Sequence, residues 1–150
     1  ASLFNQASNY LMNNQIAKPI GTQHPNIAPY GDLIVCKNDE TIVLAIGSDK
    51  QFYLLCNILK DPELCDNPKF KHNSNRLNNR SELVEQLSNL SKSWDRNELL
   101  QKLIDQGVPA GAIKNMEEVF TNNIAQNMIR EEVIDEVKTR RVSSIAFDIT

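Results

Sequence analysis

Across positions 21–52 the chain passes through a loop braced by two prolines, two short apolar runs and the start of a helix. This order constrains the fold more than any other feature. The loop reads Gly21-Thr22-Gln23-His24-Pro25-Asn26-Ile27-Ala28-Pro29-Tyr30. Each proline fixes its own φ, so the backbone beside His24 and Tyr30 is stiff. Leu33, Ile34, Val35 and Cys36, then Ile42, Val43, Leu44, Ala45 and Ile46, form two short runs rich in β-branched residues. The polar residues Lys37-Asn38-Asp39-Glu40 between them predict a hairpin. The second run is nearly continuous, which predicts a strand covered on both faces. Ser48 followed by Gln51 is a capping-box pattern, and the helix it starts carries Phe52, Leu55, Cys56 and Leu59 on one face.

The flanking segments supply more helices and a second strand signal. Ser2 can cap a helix whose apolar positions Phe4, Ala7, Leu11, Met12 and Ile16 follow the helical period, ending before Lys18-Pro19. Asp61-Pro62 offers a cap with proline at the first helical position, predicting a short helix. Leu77, Arg80, Leu83, Val84, Leu87 and Leu90 predict one long surface helix with an apolar stripe, on which Arg76 and Arg80 stand a turn apart. Asp95 with Glu98 is a second capping box, with Trp94 placed to staple against Leu99, and Gly107 suits a left-handed cap. Pro109 cannot donate to a central ladder, so the run after it reads as an edge strand. Asn115 with Glu118 caps a short helix through Phe120, and residues 124–129 add a further turn. Val133, Asp135 and Val137, then Ser143, Ile145 and Phe147, alternate with period two around positions 138–141, predicting a terminal hairpin. Strands near both ends with helices between them predict an α+β fold. Its small, mostly antiparallel sheet has helices packed on it and is closed by bringing the first and last strands together.

Composition narrows function mainly by exclusion. The chain of 150 residues is the size of one domain, and no apolar run approaches the length of a bilayer crossing. Its formal charge of −3 argues against a nucleic-acid partner, which calls for a basic stripe. Cys36, Cys56 and Cys65 show neither C-x-x-C spacing nor paired histidines, so no disulfide framework and no metal site is expected, and a reducing cytoplasmic setting fits. The chain starts in a helical pattern without an initiator Met or a signal-type segment, and Ala1 is read as a cut point.

No catalytic constellation is complete. His24, in its stiff loop, could serve as acid or base, but the preferred reading is a hydrogen-bonded loop histidine. Lys69, Lys71 and His72 with Arg76 and Arg80 could hold phosphates, but a solvated basic face is the preferred reading. Glu117-Glu118 and Glu131-Glu132 read as surface or capping residues, and the three thiols as buried and inert.

A chain of motifs nonetheless points further. His24-Pro25-Asn26-Ile27-Ala28-Pro29-Tyr30 is followed by Leu44-Ala45-Ile46-Gly47-Ser48-Asp49-Lys50-Gln51-Phe52 and Leu55-Cys56. Next come Pro62-Glu63-Leu64, Asn67-Pro68-Lys69-Phe70, Asn73-Ser74-Asn75-Arg76 and Asn79-Arg80-Ser81-Glu82-Leu83, then Gly107-Val108-Pro109-Ala110-Gly111 with Glu117-Glu118-Val119-Phe120. In order and spacing this resembles the family III CoA-transferases, the CaiB/BaiF type, over nearly the whole chain. The resemblance implies that residues 1–20 are a connecting helix from a large domain missing here, and residues 21–150 a small α+β domain. It implies an acyl-CoA thioester and a carboxylic acid as substrates of the full-length enzyme, an interlocked homodimer, and no cofactor bound by this part. The family's catalytic aspartate lies in the large part and has no match here, so this part alone is expected to be inactive. The loop carrying His24, Pro25 and Asn26 corresponds to a segment bordering the active site. A racemase-like relative acting on acyl-CoA, or a non-catalytic assembly module of the same fold, is the alternative. Without the large domain, Phe4, Leu11 and Met12 are expected to leave an apolar surface through which the domain associates.

Overall fold

The computed structural model describes residues 4–14, 16, 19 and 21–142, and these fall into two compact units divided after Ala112. In the first unit, helix α1 (Phe4–Asn13) precedes the proline loop, and strands β1 (Tyr30–Val35) and β2 (Thr41–Ala45) follow as an antiparallel hairpin. The turn between the strands is tight because Asn38 and Asp39 both take positive φ, 59° and 60°, which Asn and Asp tolerate better than other side chains. Helices α2 (Asp49–Ile58), α3 (Glu63–Asp66), α4 (Asn73–Asn78), α5 (Arg80–Ser91) and α6 (Arg96–Asp105) come next. Strand β3 (Ala110–Ala112) then pairs antiparallel with β2, giving the order β1-β2-β3 with β3 at an edge, as Pro109 predicts.

One core joins sheet and helices. Ile34, Ile42, Leu44 and Ile46 meet Phe52, Leu55, Cys56 and Leu59 of the α2 segment, Leu83 and Leu87 of α5, and Leu99 and Leu103 of α6. Alternate residues of β2 take different surroundings: Ile42 and Leu44 are buried, whereas Val43 and Ala45 are only half-buried. The second face of this strand is thus less covered than its apolar run predicts, because the described helices contribute their apolar faces to the other side.

Helix ends follow local chemistry. The Ser48 hydroxyl accepts from the Gln51 amide at 3.3 Å, but the Gln51 side chain reaches back to the Gly47 amide, at 2.9 Å, one residue short of the pattern expected of a capping box. Asp61 accepts from the Leu64 amide, and Asp95 accepts from the amides of Asn97 and Glu98. Gly107, at φ +72°, closes α6.

Three sequence expectations are corrected. The single helix expected across positions 77–90 is two helices broken at Asn79, where φ is −117° and ψ 27°. Asn79 bonds locally instead of extending the helix, its side-chain amide donating to the carbonyls of Asn75 and Lys69. The terminal hairpin turns at Asp135 and Glu136, whose φ of 49° and 65° make a two-residue turn, so positions 138–141 lie within a strand. Ser143, Ile145 and Phe147 lie outside the described residues. Among the described residues the three-stranded sheet is also not closed by later strands: β4 (Ile129–Ile134) and β5 (Val137–Val142) form their own two-stranded sheet in the second unit, after helices α7 (Met116–Phe120) and α8 (Asn123–Gln126). The capping box of α7 is complete, with Asn115 and Glu118 bonded reciprocally.

On α1, Leu11 and Met12 are 78% and 82% exposed, the apolar surface its pattern predicts; the Phe4 side chain lies outside the described residues. All three cysteines are free and buried.

Candidate functional site

The proline loop is held in shape by side chains arriving from more than forty residues away. Gly31 starts this arrangement: its φ of +76° belongs to the left-handed region, and a Cβ there would stand 1.8 Å from the Thr22 carbonyl oxygen. The loop therefore folds back against the beginning of β1, and the His24 amide donates to the Tyr30 carbonyl at 2.8 Å. The peptide bond between Ala28 and Pro29 is cis.

Helices α4 and α5 supply three anchors. Asn73 grips the loop from both chemical sides, accepting from the Ala28 amide at 3.0 Å and donating to the Asn26 carbonyl at 2.8 Å. Arg76 is 1% exposed and donates to the carbonyls of Ala28, Phe70 and Lys71 and, at 2.6 Å, to the Asp49 carboxylate, with its guanidinium stacked over the Phe52 ring. Arg80 donates to the His24 carbonyl at 2.5 Å and the Tyr30 carbonyl at 3.0 Å. It also meets the fully buried Asp32 in a two-pronged pair at 2.7 and 2.9 Å. Gln23 completes the Asp32 cage at 2.8 Å. The break at Asn79 lies between the two arginines, so each guanidinium leaves from its own helix.

The basic cluster is therefore not a single solvated face. Lys69 pairs with Glu82, and His72 is largely exposed, 3.6 Å from Asp49. Arg76 and Arg80 are spent on backbone carbonyls and carboxylates. Burial pushes the Asp49 carboxyl up, but the Arg76 hydrogen bond and charge, with His72 behind them, outweigh it and hold the group below the usual carboxylate range.

Of the residues singled out from sequence, His24, Pro25 and Asn26 occupy the middle of this held loop. The His24 Nδ1 accepts from the Asn26 amide at 3.1 Å, and its ring stands edge-on to Tyr30, centroids 5.4 Å apart. Asn73 belongs to the motif chain and Gln23 to the loop read from the sequence, but nothing local marks them, or Asp32, as the groups that hold the loop. The available signal was Asp32 itself, an acid beside a glycine at the head of an apolar strand, with Arg76 and Arg80 as its possible counter-charges.

Elsewhere the chemistry is sparse. Burial pushes the Cys56 thiol up to about 12 and raises those of Cys36 and Cys65, which leaves them protonated and unreactive. Among the described residues no group of three or more His, Cys, Asp or Glu could hold a metal, and no helix is long and apolar enough to cross a membrane. Trp94 lies beneath the ammonium groups of Lys60 and Lys102, at 5.5 and 4.8 Å from its ring centre, bordering a 510 Å³ surface groove.

Comparisons with known proteins give this geometry a context. The sequence pattern of CoA-transferase family III matches residues 1–148. The chain is 35% identical over 122 residues to the succinate–glutarate CoA-transferase of Agrobacterium fabrum, and 40% identical over 120 residues to the succinyl-CoA:glutarate CoA-transferase of Homo sapiens. These alignments take in 81% and 80% of this chain but 30% and 27% of the relatives, so the chain spans less than a third of their length. A crystal structure of a CaiB/BaiF family protein from Brucella suis superposes with a TM-score of 0.78 at 35% identity, covering 97% of this chain and 38% of that one.

Proposed function

The chain belongs to CoA-transferase family III, and from that premise we propose that it is the small-domain part of an enzyme that moves CoA from an acyl-CoA donor to a carboxylic acid. Residues 1–20, which include helix α1 at Phe4–Asn13, are the connection from a large domain, and residues 21–150 the small domain. The loop at His24, Pro25 and Asn26 borders the acyl-transfer site in the assembled enzyme, an interlocked homodimer working in the cytoplasm. Leu11 and Met12 on α1 meet the large domain or the partner subunit there. The substrate pair is a short dicarboxylic acid and its CoA thioester, on the names of the Agrobacterium and human relatives.

The observation that carries this reading is a family match across nearly the whole chain that reaches less than a third of the relatives' length. A carboxylate nucleophile works only when held free within attacking distance of the thioester, and the two carboxylates that border the loop, Asp32 and Asp49, are already engaged. Asp32 is locked between Arg80 and Gln23, and Asp49 is paired with Arg76. The isolated chain is accordingly inactive. The test is to incubate the chain, and the full-length product of its gene, with succinyl-CoA and a panel of dicarboxylic acids, following the acyl-CoA species by chromatography. Transfer by the full-length protein alone is expected; robust turnover by the 150-residue chain would overturn the assignment.

A further inference from the structure

His24 is held on every side but one. Its amide bonds to the Tyr30 carbonyl, its carbonyl receives Arg80, its ring edge rests against Tyr30, and its Nδ1 accepts the Asn26 amide. A neutral imidazole carries one N–H, and a ring nitrogen that accepts a hydrogen bond presents its lone pair there, so the proton resides on Nε2. Among the described residues Nε2 has no partner, and the side chain is only half-buried. The ring thus offers a single N–H donor in a fixed place. It has no free lone pair with which to accept a proton, which speaks against service as a general base.

We propose that His24, fixed as the Nε2–H tautomer by the Asn26 amide, is a substrate-binding residue that donates a hydrogen bond to a carboxylate oxygen of the acid partner in CoA transfer. This rests on the reading of the loop as a border of the acyl-transfer site. A lone N–H donor is best matched by an anionic oxygen, and the nearby cations do not compete for it: Arg80 is neutralised by Asp32, and Arg76 by Asp49.

Two measurements decide the matter. Ring proton–nitrogen correlation spectra of the 150-residue chain, with the His24 signals assigned by their loss in His24→Gln, are expected to show a protonated Nε2 and a bare Nδ1. An Nδ1–H pattern overturns the proposal. In the full-length enzyme, His24→Ala is expected to raise KM for the acid roughly ten- to hundredfold, as loss of a hydrogen bond to a charged group does, with kcat nearly unchanged. His24→Gln, whose amide nitrogen replaces Nε2, recovers most of that loss without a titratable ring. If His24→Gln is as impaired as His24→Ala while circular dichroism shows both folded, or if His24→Ala leaves KM unchanged, the donor role is wrong and the enzyme assignment stands. A wild-type full-length protein that transfers no CoA instead removes the enzyme assignment, and the ligand with it.

Discussion

Arg80 and Arg141 each form a two-pronged pair with a carboxylate, yet the two pairs sit in opposite surroundings. Arg80 meets Asp32, which is fully buried and 48 residues away in sequence. Arg141 meets Glu132 across the β4–β5 hairpin, and both side chains remain open to water. The proline loop has few backbone hydrogen bonds of its own, so it borrows donors from helices far along the chain. The hairpin has a full ladder of its own, so its ion pairs decorate a shape that the backbone already fixes. One contact type therefore defines a loop in the first case and follows a structure in the second.

The sharpest way to break this contrast is to remove one partner of the buried pair. Arg80→Met strips the buried Asp32 of its counter-charge and leaves the His24 carbonyl without its donor, and a loss of about 3–5 kcal/mol is expected. Urea denaturation measures it. The double variant Arg80→Met with Asp32→Leu should recover a substantial part of the loss, because it removes the stranded charge. A single-variant loss under about 1 kcal/mol would show the pair to be as dispensable as an exposed one.

Gly31→Ala attacks the same loop through its backbone. The left-handed φ and a Cβ only 1.8 Å from the Thr22 carbonyl oxygen force the loop to move, at an expected loss of roughly 2–4 kcal/mol. Amide exchange should rise across positions 22–30 and stay unchanged in α6. Uniform loosening of both would mean that the loop and the core are one cooperative unit.

The Arg76–Asp49 contact lies between the two extremes, since Arg76 is buried and the Asp49 side chain is 56% exposed. The Asp49 carboxyl titrates below its unfolded value of 3.8, so its contribution is present above that pH and is lost as pH falls through the lower folded value. Wild type should therefore lose stability on acidification below about pH 4 more steeply than Asp49→Asn, whose deficit at neutral pH stays near 1 kcal/mol because water screens the pair. Parallel acid limbs would break the argument.

How much of this was legible in the sequence depended on whether a signal was local. Ser48, Asp95, Asn115 and Gly107 announced helix ends because caps act within three or four residues, and the β1–β2 hairpin was readable from its apolar runs. The break at Asn79 was hidden because Leu77, Leu83 and Leu87 keep the helical period across it, so the stripe survives while the axis changes. The Asp135-Glu136 turn is hidden because its second position, where glycine is the usual mark of such a turn, is filled by Glu136. The latch of Arg76, Arg80, Asn73 and Asp32 on the loop was invisible for a physical reason. Two guanidiniums a turn apart look like a solvated face until the fold brings buried carbonyls and carboxylates to them, and no local pattern encodes that meeting.

The smallest effect belongs to the hairpin. Arg141→Ala removes the pair with Glu132, whose carboxyl is held below the usual range by the Arg141 hydrogen bond and charge. Both groups are solvated and no backbone group depends on them, so the denaturation midpoint should not move measurably. The register, from Ile129 opposite Val142 to Ile134 opposite Val137, is set by ladder bonds and by the Asp135-Glu136 turn, and cross-strand nuclear Overhauser contacts should persist unchanged in the variant. Fraying of β5 on this substitution would mean that the ladder alone cannot hold the hairpin. Arg141 would then do for its strand what Arg80 does for the loop, and burial would cease to separate the two pairs.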